Sequence, residues 1–392
     1  MLTNAPTGYE GSIMDFKLSE EEVIFQKTVK DFCDKVVAPT VEPAEEAEQF
    51  PKELFRTLGQ QGYIGMAYPE EVGGAGASKV LECIFVEELT RVSVGIAAGF
   101  LVQQSLATYP IFALGTEAQK TEYLEPALRG EKIGAFALTE PGAGSDAAGI
   151  RTTARRDGEH YVINGAKTFI TNGTICDYAL VVAYTDPSKR GDGMAFFIVD
   201  RDNPGFTGVR KLRKMGQHSS DTAEIVFENC RVPASALLGP ETGGFTMVTR
   251  NLRGGRVIYG ARSVGVARAA YEAALEYAKQ REAFGQPIAK FQLIRSKLAR
   301  MAMEIEVART FTYKVAWMLD QGIECMKEAS MVKLFGSEMA QRVTWEAVQI
   351  HGGYGYMREY PVERYFRDAR ALTIPEGTSE IHLSIIAKAI GI

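Results

Sequence analysis

The sequence predicts an α+β protein in three consecutive parts: an N-terminal helical domain, a middle antiparallel β domain and a C-terminal helical bundle of four-helix type. Three observations carry that expectation. Capping signals and helical periodicity occupy the first third, short β-rich runs punctuated by turn residues fill the middle, and roughly the last 150 residues return to a helical period with few breakers. A chain of 392 residues has room for two or three domains, and the shifts in pattern set boundaries at 14–136, 137–238 and 239–392.

The first helix is announced by Ser19 with Glu22 three residues on, a capping box. Helical segments are expected near 52–61 and 78–92. Residues 92–116 carry no formal charge and raise the question of a membrane span. Gln103, Gln104, Ser105 and Thr108 interrupt the apolar run and Pro110 breaks it, so a buried core helix is expected instead. In the middle part, Tyr161-Val162-Ile163 and residues 167–170 flank Asn164-Gly165, which predicts a hairpin turn there. Residues 178–185 and 194–200 flank a polar loop ending in Asp192-Gly193, and 222–229 reads as a further strand. Beyond Pro240 the only proline breakers are Pro287, Pro361 and Pro375. Ile294, Leu298, Met301, Ile305, Ala308, Thr312, Val315 and Leu319 recur at intervals of four and three, the seam of a bundle helix.

Composition narrows the chemistry. Apolar residues make up 46% and charged residues 24%, with 44 basic against 49 acidic side chains for a net charge of −5, which leaves no electrostatic footprint for nucleic acid. Five widely spaced cysteines form no CxxC pair, which points away from disulfides and zinc and toward a reducing cytoplasm. The N-terminal residues show neither an apolar signal core nor an Arg-rich presequence. Four histidines lack metal-binding spacing, so no metal site is expected; GxSxG and Walker A are absent, and Gly73-Gly74-Ala75-Gly76 does not follow a strand, which argues against a Rossmann site.

Two segments stand out. In Ala137-Leu138-Thr139-Glu140-Pro141-Gly142-Ala143-Gly144-Ser145-Asp146, glycines allow a ligand to approach exposed backbone amides. The second runs Gln349-Ile350-His351-Gly352-Gly353-Tyr354-Gly355-Tyr356 and continues to Pro375-Glu376-Gly377-Thr378-Ser379-Glu380-Ile381. With both, and with Lys167-Thr168-Phe169-Ile170-Thr171-Asn172-Gly173, Lys214-Met215-Gly216 and Arg281-Glu282-Ala283-Phe284-Gly285 in order between them, the chain resembles the acyl-CoA dehydrogenase family from about residue 14 to its end. Residues 1–13 precede the family's usual start and are expected to be either an extension or the product of an upstream start codon.

The resemblance implies FAD, held between the β domain and the bundle and completed by a neighbouring subunit of a homotetramer built as a dimer of dimers. Phe136, Leu138, Thr139, Gly144 and Ser145, with Phe169, Ile170 and Thr171, would line the flavin ring. Arg281 and Phe284, expected three apart on one helix face, would meet the dinucleotide with Gln292, Gln349, Gly352 and Gly353, and Thr378 and Glu380 match further cofactor positions. In this family a glutamate before the last helix removes the substrate's α proton, and the matching residue is Glu376. Some branches carry the base on the long helix beside an arginine matching Arg256; that position here is Gly255, which has no group to accept a proton. Ser145, Arg253, Arg256 and Gly377 match positions near the acyl-CoA.

Two departures bear on substrate. Position 375 is often tyrosine in the family and is Pro375 here, which removes an N–H just before the base. Residues 102–106 and Glu380-Ile381-His382 resemble the glutaryl-CoA branch, yet its carboxylate-binding arginine is replaced by Ala97 among Val94, Gly95, Ile96 and Ala98. An apolar wall does not compensate a second carboxylate, so a monocarboxylic acyl group, short, medium or cyclic, is expected. The implied activity is α,β-dehydrogenation of an acyl-CoA with electrons passed to electron-transferring flavoprotein; the alternatives are an acyl-CoA oxidase, a dicarboxylic glutaryl-type dehydrogenase and a flavin- or acyl-CoA-binding scaffold without turnover.

Overall fold

The computed structural model describes residues 17–392 apart from the side chains of residues 245 and 248–253; the expected N-terminal extension and the side chain of Arg253 lie outside the described residues. Helix α1 (Glu20–Phe32) opens with the expected capping box, the Ser19 hydroxyl accepting from the Glu22 N–H while the Glu22 carboxylate accepts from the Ser19 N–H. It is followed by α2 (Ala38–Ala47), α3 (Glu53–Gln60), α4 (Lys79–Val92), capped by Ser78, and α5 (Val94–Leu101), capped by Ser93. The uncharged stretch is not one helix. A π-helical turn at Val102–Leu106 separates α5 from α6 (Tyr109–Leu114), because the Thr108 hydroxyl takes up the Gln103 and Gln104 carbonyls and Pro110 has no N–H to offer. Val94–Leu114 has the length and apolar composition of a span, but 61% of its window is buried inside the protein. Short helices α7 (Glu117–Gln119) and α8 (Glu125–Leu128) lead into the sheet.

The middle strands are β1 (Gly134–Ala137), β2 (Thr153–Asp157), β3 (His160–Thr171), β4 (Tyr178–Tyr184), β5 (Met194–Asp200), β6 (Phe206–Lys211), β7 (Thr222–Pro233) and β8 (Leu237–Leu238). They form one eight-stranded sheet in the order β6-β7-β3-β2-β4-β5-β8, with β1 also on β4. The domain is mainly antiparallel as expected, and two pairings depart from that: β1 and β2 both run parallel to β4, reached by connections long enough for a crossover. The expected turn at Asn164-Gly165 is also absent. Strand β3 runs straight through with a register shift at that point, and a Cβ on Gly165 would stand 2.3 Å from the Thr152 hydroxyl, so this glycine serves a close approach inside a strand. The tight turn falls instead at Gly158-Glu159, where Asp157 pairs His160 and Gly158 adopts φ 60.

Strand β4 explains how the layers join. Tyr178, Leu180 and Val182 pack into the N-terminal helical core while Ala179, Val181 and Ala183 face the sheet's own core, so the strand reads as a continuous apolar run. The C-terminal part holds α9 (Gly244–Gln280), a small hairpin of β9 (Glu282–Ala283) and β10 (Gln286–Pro287), then α10 (Gln292–Asp320), α11 (Met326–His351), α12 (Val362–Ala369) and α13 (Ser379–Ala389). On α10 the seam is buried at Leu298, Met301, Ile305, Ala308, Thr312 and Val315, with Ile294 and Leu319 half-buried at its ends. All five cysteines are buried.

Candidate active site

Glu376 stands in the turn that leads to α13, two residues before its cap Thr378. Its backbone is left-handed at φ 58, followed by Gly377 at φ 98. A non-glycine residue there costs about 1–2 kcal/mol, so its surroundings must hold it. Lys333 on α11 donates to the Gly377 carbonyl at 2.6 Å, and His382 on α13 bonds the Glu376 carbonyl through Nε2 at 3.2 Å. His382 is neutral: burial, with Lys333 and Arg256 nearby, pushes its imidazole down to about 4. The Glu376 carboxylate lies against Gly255 of α9, and its Oε2 is buried without a hydrogen-bond partner. Burial pushes this carboxyl up to about 7, overcoming the pull of Arg256, Lys333 and Arg262. The Arg256 guanidinium is turned onto α11, donating to the Met326 Sδ at 2.7 Å and the Ser330 hydroxyl at 3.4 Å.

A second wall is built by the loop 137–146 and the end of β3. Glu140 is buried and accepts from the Arg151 N–H at 2.7 Å, the Thr152 N–H at 2.9 Å and the Lys167 ammonium at 2.9 Å. Burial pushes its carboxyl up, but Lys167 and these donors outweigh it and hold it below the usual carboxylate range. Lys167, fully buried, also donates to the Leu138 carbonyl, which clamps the loop from behind. Neither residue stood out in the sequence, where Glu140 reads as one polar letter of a glycine-rich loop. The clamp leaves the glycines facing outward: a Cβ on Gly142 or Gly144 would meet nothing within 4 Å. Ser145 is exposed; Phe136, Leu138, Thr139 and Thr171 are half-buried. A register shift between Lys167 and Ile170 throws Phe169 outward at φ 60 and 68% exposure. Ile170 turns the other way into the sheet core, which leaves its main chain as the part that can line a ligand here.

The remaining expected contacts gather elsewhere. Arg281 and Phe284 do not share a helix face: α9 ends at Gln280, Arg281 is its extended cap, and Phe284-Gly285 form the two-residue turn of the β9–β10 hairpin at φ 53 and 78. The residues Gly285 and Pro287 override the helical period here. Arg281 lies 5.8 Å over the Tyr354 ring and lines a cleft with Tyr277, His351, Gly352 and Gly353. Gln292, at the start of α10, and Gln349, near the end of α11, are exposed. Glu380 is exposed in the first turn of α13, and Thr378 accepts from the Ile381 N–H. Along α9, at ~1.5 Å per residue, Arg281 stands ~39 Å from Gly255 and the Glu376 carboxylate.

The expected apolar wall around Ala97 needs revision. Ile96 and Ala97 are 0% exposed and Val94 is 1% exposed, already packed against protein, with only Ala98 half-buried. A cation does reach this place. Arg262 of α9, on the same face as Gly255 two turns on, donates to the Val94 carbonyl at 3.2 Å, lies 4.8 Å over the Tyr259 ring, and leaves its Nε without a hydrogen-bond partner.

Comparison with known proteins follows the same three parts. Three family profiles match: acyl-CoA dehydrogenase, N-terminal domain over residues 19–131, middle domain over 135–230 and C-terminal domain over 242–391. An acyl-CoA dehydrogenase of Bacillus subtilis (strain 168) is 44% identical over 371 residues, 95% of this chain and 98% of that protein. A caffeyl-CoA reductase–Etf complex subunit of Acetobacterium woodii is 41% identical over 94% of this chain and 98% of its own length. The solved structure of butyryl-CoA dehydrogenase from Megasphaera elsdenii superimposes with a TM-score of 0.92 at 43% identity, covering 96% of this chain and 100% of that one.

Proposed function

The chain belongs to the acyl-CoA dehydrogenase family, whose members are flavoprotein oxidoreductases acting on acyl-CoA CH–CH bonds, and from that premise we propose that it is an FAD-dependent α,β-dehydrogenase of a monocarboxylic acyl-CoA with Glu376 as the catalytic base. The observation that carries the reading is the half-buried Glu376, whose Oε2 is buried without a hydrogen-bond partner and whose carboxyl is pushed up to about 7. A carboxylate with an ordinary pKa is a poor base toward carbon; raising it brings proton affinity and the ionised fraction into balance near neutrality.

The residues in place fit FAD. The outward-facing Gly142 and Gly144 backbone, the protruding Phe169 and Thr171 suit a flat ring with polar edges, and when bound the flavin supplies the acceptor for the substrate's β hydride. Glu376 takes the α proton at its unpartnered Oε2. Glu140 and Lys167 hold the loop so that its amides stay aimed outward, and the α9 backbone at Gly255 keeps water from the carboxylate's far side. Ser145, Arg256 and Gly377 are assigned to the acyl-CoA side, Arg256 chiefly by keeping a positive charge near Glu376. The assignment of the Arg281 cleft to a neighbouring subunit's dinucleotide, in a tetramer, is supported by its ~39 Å distance from Glu376 along α9 and by Phe284, which projects 96% exposed beside it. Electron transfer to electron-transferring flavoprotein is supported by the relative that is a subunit of an Etf complex, and the five buried thiols suit a reducing cytoplasm. The proposed domain limits are 14–136, 137–238 and 239–392; the sheet itself begins with β1 at Gly134, three residues before the first limit.

The test is anaerobic addition of butyryl-CoA to the purified protein. A yellow protein that bleaches at once and reoxidises slowly in air supports the dehydrogenase; fast reoxidation by air marks an oxidase, and a colourless protein, or one that does not bleach with any acyl-CoA, rejects the assignment.

A further inference from the structure

We propose that Lys333 and His382 are positioning residues that grip the two consecutive carbonyls of Glu376 and Gly377 and thereby aim the Glu376 carboxylate across the site toward α9. The proposal rests on the reading of Glu376 as the base, and adds to it the groups that make a strained turn into a fixed one. Lys333 is 0% exposed on α11, and its hydrogen bond goes to a neutral carbonyl, Gly377 at 2.6 Å. A buried ammonium with so weak a partner is costly unless a negative charge stands near. Burial pushes the Lys333 ammonium down to about 8, and Glu376 is the group that most opposes this, against the repulsion of Arg256 and with smaller attraction from Glu338 and Glu380. A residue serving only to anchor a carbonyl would not need to be charged.

His382 supplies the second tether. Its Nε2 bonds the Glu376 carbonyl at 3.2 Å, and a carbonyl accepts only from N–H, which puts the proton on Nε2 and leaves the buried Nδ1 without a partner. A Cβ on Gly377 would stand 3.1 Å from that same Nε2, so the glycine after the base is the residue that lets the imidazole reach. With both carbonyls turned toward α11 and α13, the backbone at φ 58 and 98 sends the Glu376 side chain the opposite way, to Gly255. The charged and titratable groups facing this unit are Arg256, Tyr259 and Arg262 on α9, Lys333 and Glu338 on α11, and Glu380 and His382 on α13.

The experiment measures anaerobic flavin reduction by acyl-CoA in the flavin-loaded protein across pH, alongside flavin content. Lys333→Met should lower the plateau rate ~10- to 100-fold, as expected for a misplaced reacting group, and move the rising limb to higher pH, since a carboxylate without its cation binds its proton more tightly. Lys333→Gln, which keeps a donor but no charge, should recover part of the plateau rate and keep the shifted limb. His382→Leu should lower the plateau rate and His382→Gln restore part of it, with neither moving the limb as Lys333→Met does. Wild-type rates and an unmoved limb in Lys333→Met and His382→Leu, with Glu376→Gln inactive, would overturn the positioning role and leave the base in place. Normal reduction by Glu376→Gln would instead remove the base assignment itself. If Lys333→Met does not fold, the two His382 variants decide: equal rates for Leu, Gln and wild type overturn the proposal.

Discussion

Gly255 and Glu376 occupy one space from two sides: a Cβ built on Gly255 would lie 3.1 Å from the Glu376 Oε2 and 3.4 Å from Oε1. The long bundle helix and the loop before the last helix therefore present two backbone positions from which a carboxylate could reach the same point. Glu376→Gln should retain flavin and acyl-CoA binding while flavin reduction falls by at least ~10²-fold. Glu376→Gly combined with Gly255→Glu should recover a measurable part of that loss, and Gly255→Glu alone should fold less stably because two carboxylates then crowd one site. A double variant as inactive as Glu376→Gly would show that the two positions are not equivalent.

Stability should carry the opposite sign to activity. Glu376 has a folded pKa of about 7, above the 4.5 of an ordinary glutamate, so its contribution is fully present below about 4.5 and is lost as pH rises through about 7. Flavin reduction, which needs the carboxylate, should rise over the same interval. Glu376→Gln removes the buried charge and should be stabilised against wild type by up to about 3 kcal/mol at pH 8, with little difference at pH 4. Thermal unfolding of both proteins at matched scan rate checks this; a variant less stable than wild type at pH 8 contradicts the burial of an unpaired carboxylate.

Phe284 is strained and exposed at once, at φ 53 and 96% exposure in a two-residue turn, with an edge contact to the Phe291 ring. Phe284→Asn suits that turn and should leave chain stability unchanged or raise it by about 1 kcal/mol. Flavin retention on dilution and dialysis should nonetheless fall, as it should for Arg281→Ala, because the exposed ring is assigned to the dinucleotide and not to the chain's own core. Full flavin occupancy in both variants would reject the assignment of this cleft to the dinucleotide.

Glutaryl-CoA should reduce the flavin more slowly than butyryl-, valeryl- or cyclohexanecarboxyl-CoA. Ala97 offers no cation and Arg262 is turned onto the Val94 carbonyl and the Tyr259 ring, so a free carboxylate entering without its own counter-ion costs several kcal/mol, each ~1.36 kcal/mol being tenfold in rate. Equal reduction by glutaryl-CoA would point to Arg262, the buried guanidinium at the Val94 carbonyl, and Arg262→Gln should then abolish the dicarboxylic activity alone.

Reading along the chain was enough for what is local or periodic: the Ser19 capping box, the α10 seam, the β runs at 178–185 and 194–200, and the family through its ordered motifs. Glu376 is legible from its motif, and Gly255 from its lack of a side chain. What failed were features that depend on distant partners. Asn164-Gly165 has the composition of a turn, but β7 and Thr152 pair and pack against it from elsewhere in the chain, and that long-range pairing makes it part of a strand. Arg281 and Phe284 continue a helical spacing that the hairpin ends. The Lys167–Glu140 clamp spans 27 positions, and Lys333 reaches Gly377 across 44; no spacing rule links such residues. Element types and the available chemistry are legible along the chain, because propensity, capping and motif order are short-range properties. Only the tertiary structure decided which carboxylate is buried, what holds its backbone and where the cations stand, because burial and electrostatics are set by groups that folding brings together.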